Sequence, residues 1–174
     1  MAIYYGDGSN STAGRLVQVV TNQFTTVVSV ASNSGLLNTD INADITPKDS
    51  SHKILVIVSL GRVSGPSNSV AARIRRTISG STADIGVHTG SGNWQQASFQ
   101  NYGKGPVNDD HADGQTFMWL DSTHGSTSTV NYRLQLHGQG SGTVYVNRTQ
   151  GANDTNEPYA HRTASSIILQ EISA

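Results

Sequence analysis

Short runs of alternating apolar and polar residues recur along the chain, and they are clearest in its last third. There the sequence reads FMWLDS from Phe117, TVNYRLQLHG from Thr129, GTVYVNRT from Gly142 and SSIILQEI from Ser165. Runs of this length, separated by Ser, Thr, Gly and Asn, are typical of antiparallel β-strands joined by polar turns. Strong helix formers are sparse by comparison. The pattern predicts an all-β protein.

The same pattern extends upstream. Further strands are predicted at residues 15–20, 24–31, 41–45, 53–60, 70–78, 84–87 and 96–102. The run from Ile54 to Leu60 is apolar on both faces, which predicts a strand in the middle of a sheet with cover on each side. About ten short strands with turn signals between them indicate an antiparallel β-sandwich of jelly-roll type.

The chain of 174 residues fits one domain with a short appendage. We predict an N-terminal docking arm over residues 1–14 and a β-sandwich domain over residues 15–174. The arm has an apolar tip, Ile3-Tyr4-Tyr5, followed by a polar stretch. A frayed terminus is the alternative.

Two segments are predicted to be loops, Gly61 to Ser69 and His88 to Gly114. Long loops in compact domains are often functional. Trp94 and Tyr102 lie in or beside the second loop, where exposed rings would stack on sugars. The alternative is that Trp94 packs the loop against the sheet. Trp119 and Tyr132 lie in predicted strands and are expected in the core.

Arg76 interrupts the alternation of the predicted strand from Val70 to Ile78, because it falls on the apolar face. The interpretation we prefer is a side chain near the strand end that extends to solvent. The alternative is an ion pair across a subunit interface.

Charge is sparse and balanced, with 11 basic and 12 acidic residues and a formal net charge of −1. The basic excess typical of nucleic-acid-binding proteins is missing, so we predict no nucleic-acid partner. The longest apolar run is far shorter than the roughly 20 residues of a membrane span, which argues against membrane insertion. The start of the chain lacks the pattern of a secretory signal.

Candidate chemistry is limited to one polar cluster, formed by Asp109, Asp110, His111 and Asp113. Carboxylates and imidazole at this spacing are a weak candidate for a Ca²⁺ or transition-metal site. A solvated acidic loop is the interpretation we prefer, so no metal and no cofactor is predicted. The sequence has no cysteine and no nucleophile elbow, phosphate-binding loop or dinucleotide fingerprint. We therefore predict that the protein is not an enzyme.

Several segments together resemble a known family. They are GRLVQVV, a T-P-x-D-S-S-x-K-I-L-V segment, AARIRR, FMWLDS, TVNYRLQL, GTVYVNR and SSIILQEI. Nearly the whole chain resembles the short virion structural proteins, described as tail-fibre-like, of marine tailed bacteriophages including cyanophages. The resemblance implies a β-sandwich subunit on the surface of a phage particle, assembled as a homotrimer and made in the host cytoplasm.

The resemblance leaves three functions open. In the first, a tail-fibre-type appendage binds host surface glycan through its loops and attaches to other virion proteins. In the second, a capsid decoration or cement protein stabilises the head at three-fold positions against the major capsid protein. The short segment before the first predicted strand favours this second function. The third is a glycan depolymerase, for which the small number of Glu residues, Glu157 and Glu171, gives little support.

Overall fold

The computed structural model describes residues 3–4, 10–11, 14–31, 35–65, 69–90, 96–102, 113–138, 142–149 and 161–174. Within these ranges the chain forms β-strands and no helix. The strands are β1 (Ile3–Tyr4), β2 (Asn10–Ser11), β3 (Leu16–Phe24), β4 (Val28–Ala31), β5 (Leu37–Ile45), β6 (Lys53–Ser64), β7 (Ser69–Ile78), β8 (Ser81–Ile85), β9 (Phe99–Tyr102), β10 (Asp113–Asp121), β11 (Val130–Gly138), β12 (Thr143–Val146) and β13 (Ser165–Ile172).

The first sheet, sheet 1, is built around the long strand β6. β10 and β13 both pair with the first part of β6, so they lie on its opposite edges. Val63, near the end of β6, pairs with β10 on one side and with β12 on the other. β13 and β12 therefore lie end to end along one edge of β6. Their outer partners, β3 and β4, lie end to end in the same way. Sheet 1 has four positions, in the order β10, β6, β13 with β12, and β3 with β4.

The second sheet, sheet 2, also has four positions. β11 pairs with β5 on one edge and with β7 on the other. The far edge of β7 pairs with β9 along its first half and with β8 along its second half. Every pairing in both sheets is antiparallel.

The order in which the chain visits these positions defines a jelly roll. It passes from β3 and β4 in sheet 1 to β5 in sheet 2, back to β6, and then to β7 with β8 and β9 in sheet 2. It returns to sheet 1 at β10, crosses to β11, and finishes in β12 and β13. Two four-position antiparallel sheets connected in this nested order form the jelly-roll sandwich. The predicted all-β jelly-roll-like fold is confirmed.

The hydrophobic core lies between the two sheets, where the inward positions of both alternate with outward positions. Sheet 1 contributes Val56, Val58, Ile167 and Leu169, and sheet 2 contributes Ile41, Ile74, Tyr132 and Leu134, all fully buried. The expected core position of Tyr132 is confirmed. The predicted central strand from Ile54 to Leu60 is confirmed as β6, which has neighbours on both edges.

The predicted loop from Gly61 to Ser69 is wrong over its first half, because β6 continues to Ser64. A bulge at this point explains the extension: Leu60 pairs with Gln115 while Val63 pairs with Asp113. Glycine suits this bulge, because a Cβ on Gly61 would overlap the Thr163 side chain.

The strands end at two distinct ends of the sandwich. At one end, which we call the loop end, strand termini border residues 32–34, 66–68, 103–112 and 139–141. At the other end, which we call the closed end, residues 46–52, 79–80 and 122–129 connect the strands, and β13 finishes. β1 and β2 pair with each other, with Ile3 opposite Ser11. The docking role of residues 1–14 stays a prediction, and Tyr5 lies outside the described residues.

Candidate functional site

A buried ion pair joins the two sheets at the closed end. Nη1 of Arg76, on β7, lies 2.8 and 2.9 Å from the two carboxylate oxygens of Asp121, on β10. The hydroxyl of Tyr132 donates to Asp121 at 2.8 Å, and the backbone N–H of Thr123 donates at 2.9 Å. The Asp121 side chain is 1% exposed and that of Arg76 is 12% exposed. The expectation that Arg76 extends to solvent is wrong, and its carboxylate partner belongs to the same chain.

The electrostatics of this cluster favour the ionised carboxylate. Burial raises the pKa of Asp121, but the hydrogen bonds from Thr123, Arg76 and Tyr132 outweigh it, so the pKa lies below its ordinary value. Burial, together with the adjacent carboxylate, raises the pKa of Tyr132 far above its ordinary value. Asp121 is therefore a charged, fully partnered group, and Tyr132 remains a neutral donor.

A second buried carboxylate, Glu171 on β13, organises the closed end on the side of sheet 1. Its Oε1 accepts from the backbone N–H of Lys48 at 2.7 Å and lies 2.6 Å from Nδ1 of His52. Its Oε2 accepts from the side-chain amide of Gln18. The His52 carbonyl in turn lies 2.7 Å from Nε2 of the buried His124. These contacts fasten the connection before β6 to β3, β13 and the segment after β10.

The hydrogen bonds to Glu171 also determine its charge. Burial raises the pKa of Glu171, but the bonds from Gln18, His52 and the backbone of Lys48 and Asp49 together hold it below the ordinary value. Both buried carboxylates are thus occupied by internal donors. Their geometry suits structural clamps rather than groups that wait for a substrate.

The outward face of sheet 2 is polar and charged. Arg73 and Arg75 both contact the carboxylate of Asp84, at 2.9 and 3.0 Å. Arg73 also donates to Gln135 at 2.9 Å, and Gln135 donates to Asn38 at 2.8 Å. This network crosses the sheet from β8 to β5. Such a face is compatible with solvent.

The outward face of sheet 1 is different, because apolar side chains occupy much of two adjacent rows. The register places Met118 beside Ile57 and Ile168 in one row, and Leu120 beside Leu55 in the next. Met118 is 63% exposed, Leu120 43% and Val19, on β3, 48%. We call the group formed by Val19, Leu55, Ile57, Met118, Leu120 and Ile168 the apolar patch.

Trp119 is not a core residue, contrary to expectation. Its side chain is directed inward, opposite Val56, yet 46% of it is exposed. The cause is its position on the edge strand β10, where the opposite sheet gives incomplete cover. Its ring is close to Gly86, which has a φ of +62° and no room for a Cβ.

The residues predicted for binding fall largely outside the described part of the chain. Trp94, Asp109, Asp110 and His111 are outside it. The backbone of Tyr102 ends β9 and that of Asp113 begins β10, and both termini are at the loop end. Tyr102 and Asp113 thus flank the connection between these strands.

The described residues contain neither a metal-ligand cluster nor a helix of membrane-spanning character. His, Asp and Glu side chains in these ranges form no group of three suited to a metal ion. In the same ranges no helix is long and apolar enough to cross a bilayer.

The apolar patch and both carboxylate clusters were missed from the sequence, although each had a signal. Asp121 and Glu171 occupy inward positions in alternating runs, as Arg76 does. A charge at an inward position predicts a buried partner. For the apolar patch, the signal is that FMWL and SSIIL do not alternate. Consecutive apolar residues in these runs place apolar side chains on both faces of the strand.

Comparisons with known proteins give distant structural matches only. No protein-family model and no curated protein matches the chain. Among solved structures, the chain is similar to infectious bursal disease virus VP2 in a subviral particle, with 17% identity over 93% of this chain and a TM-score of 0.41. It is also similar to the Gx strain of that virus (14% identity, 100% of this chain, TM-score 0.37) and to its T13 viral particle (13%, 100%, 0.41). The chain spans 39%, 42% and 40% of the length of those three proteins, respectively.

Proposed function

We propose that this chain is a non-enzymatic structural protein of a phage virion surface, of the tail-fibre type, that assembles as a homotrimer. The observation that carries the proposal is the contrast between its two outward faces. Sheet 2 presents the paired charges of Arg73, Arg75 and Asp84. Sheet 1 presents the apolar patch. A subunit with one charged and one apolar outward face suits an assembly in which only one face meets solvent.

Sheet 1 carries apolar side chains on both of its faces. Its inner face packs against sheet 2, and Met118, Leu120 and Val19 remain exposed on its outer face. A sheet that is apolar on both faces is normally covered on both. Contiguous exposed apolar patches mark interaction sites in soluble proteins. The second cover is therefore supplied by other subunits of the assembly.

The loop end is the part of the subunit that we assign to the host. Four strands end there, at Ala31, Ser64, Tyr102 and Gly138. Jelly-roll scaffolds hold their loops on rigid strand ends, and binding residues are concentrated on such loops. Tyr102, which ends β9 at this end, is one aromatic that we propose for stacking on host surface glycan. Trp94, in the connection between β8 and β9, is the second.

The second candidate is a capsid decoration protein at three-fold positions of the head. The same contrast between faces favours it, because such a protein contacts the major capsid protein on one side only. A depolymerase is not favoured. Glycoside cleavage uses a pair of carboxyl groups free to reach the substrate, and the two buried carboxylates of the described residues, Asp121 and Glu171, are held by internal donors.

Immunogold labelling of intact particles with an antibody to the purified chain tests the proposal. Gold confined to the tail is expected for a fibre-type appendage. Gold distributed over the head would refute the tail-fibre function and support the capsid decoration function. Absence of gold, together with absence of the chain from purified particles by mass spectrometry, would refute both.

A further inference from the structure

The outward face of sheet 1 forms a regular grid. The register aligns three outward positions on each of four strands: Thr116, Met118 and Leu120 on β10, Leu55, Ile57 and Ser59 on β6, Ser166, Ile168 and Gln170 on β13, and Val19, Thr21 and Gln23 on β3. None of these side chains is charged. The apolar patch occupies the two rows nearer the closed end, interrupted by Gln170 and Thr21, and the third row, Thr116, Ser59, Ser166 and Gln23, is polar throughout.

We infer that the apolar patch is covered by other copies of this chain, with the outward faces of sheet 1 meeting around the three-fold axis. This inference rests on the homotrimer of the proposed function and identifies its contact surface. The grid positions carry no charge, so they can meet their own copies without like-charge repulsion, and Lys53, the next outward position on β6, lies at the margin of the grid. A charged partner would instead leave its own charges desolvated and unpaired, which is costly.

The size of the grid agrees with one interface core. Four strands about 4.8 Å apart and rows about 7 Å apart give a face of roughly 19 by 20 Å. That is about half of the 800 Å² per partner that a standard interface buries. Apolar rows bordered by a polar row are consistent with the mixed apolar and polar composition of such interfaces.

The width of the face also fits a three-fold arrangement. Three faces, each roughly 19 Å wide, enclose a triangular prism in which every sheet lies about 5.5 Å from the axis. Packed sheets are about 10 Å apart, so each contributes a side-chain layer about 5 Å thick. Three such layers fill the prism without a channel. A face much wider would leave a hole along the axis.

Replacing Met118 by Arg tests the interface. Met118 is 63% exposed in the single chain, so the substitution leaves the subunit folded. Light scattering after gel filtration should give three times the chain mass of 18.4 kDa for the wild type and the single-chain mass for Met118→Arg. Val27→Arg is the matched control, because Val27 is also exposed, at 41%, but lies outside the grid. It should remain trimeric.

A distance measurement provides an independent check. The chain has no cysteine, so single spin labels can be attached through Thr116→Cys, in the polar row of the grid, or Thr82→Cys, on the exposed outward face of sheet 2. In the prism, labels at position 116 should be about 15–20 Å apart and labels at position 82 roughly 35 Å apart. The reverse order would place sheet 2 at the axis and overturn the inference.

The outcomes separate this inference from the proposed function. A monomeric wild type would overturn it and leave the patch to another virion protein. A trimer that survives Met118→Arg would also overturn it. A trimer lost in Met118→Arg, combined with particles free of gold, would retain the interface and refute the virion function.

Discussion

The Asp121 ion pair allows a quantitative test, and the substitution Asp121→Asn is the sharpest form of it. Asparagine keeps the shape of the side chain but removes the charge that Arg76 faces at 2.8 Å. The guanidinium, only 12% exposed, then stays buried without a counter-charge. Removing one partner of a buried pair typically costs about 3–5 kcal/mol. We expect the free energy of unfolding to fall by this amount.

Urea unfolding followed by circular dichroism measures the change, with all variants at one protein concentration because oligomers are stabilised by mass action. In a chain of this length each kcal/mol moves the melting temperature by about 2–4 °C, so a drop of about 6–20 °C is expected. The matched control is Asp84→Asn. Asp84 also lies between arginines, but it is 22% exposed, so its loss should cost about 1 kcal/mol.

A double replacement identifies the cause. Arg76→Met combined with Asp121→Leu removes both charges, and buried ion pairs replaced by apolar side chains are often neutral in stability. The double variant should therefore be more stable than Asp121→Asn. If Asp121→Asn costs no more than Asp84→Asn, the pair is not buried as described and the reasoning fails.

Four further predictions follow from other parts of the molecule. The pKa of Glu171 is lowered on folding, so its contribution to stability is present above its unfolded pKa near 4.3 and is lost as the pH falls through the folded pKa. As the pH is lowered from about 6 to 3, the free energy of unfolding should therefore fall more steeply in the wild type than in Glu171→Gln. Val56→Asp should yield no folded protein by circular dichroism, because Val56 is fully buried and an unpaired charge there costs more than the whole stability; soluble, folded protein would contradict the core placement. Gly61→Val should lower the free energy of unfolding by about 1–3 kcal/mol, because the valine side chain would overlap that of Thr163. An unchanged urea midpoint would argue against the bulge. Deleting residues 2–14 should leave a folded body that is no longer incorporated into particles, and normal incorporation would end the docking hypothesis.

The fold was predictable from the sequence because alternation is a local property. The run from Ile54 to Leu60 has to be a central strand wherever it lies, and it is one. Strand ends were harder to predict. Gly61 suggests a turn when seen alone, but the strand continues through it because Val63 finds partners in β10 and β12. Those partners are distant in sequence, so the local pattern carried no sign of them.

The buried polar clusters could be predicted only in part, for a related reason. Alternation places Arg76, Asp121 and Glu171 on inward faces, but it does not say which inward charge meets which. Arg76 and Asp121 are 45 residues apart, and His52 and Glu171 are 119 residues apart. Trp119 shows the opposite failure. Its inward direction followed from the pattern, but its exposure depends on where the facing sheet stops.

The distribution of buried charge distinguishes the two ends of the sandwich. Both carboxylate clusters are at the closed end, where Arg76–Asp121 joins the sheets and Glu171 holds the connection before β6. Such pairs add little net stability over apolar packing, but they penalise any arrangement in which a partner is missing. They therefore favour one register of the sheets at that end. The antiparallel ladders carry the same register to the strand termini at the loop end. The register therefore does not depend on the residues of the loops. A scaffold fixed at one end in this way leaves the other end open to sequence change.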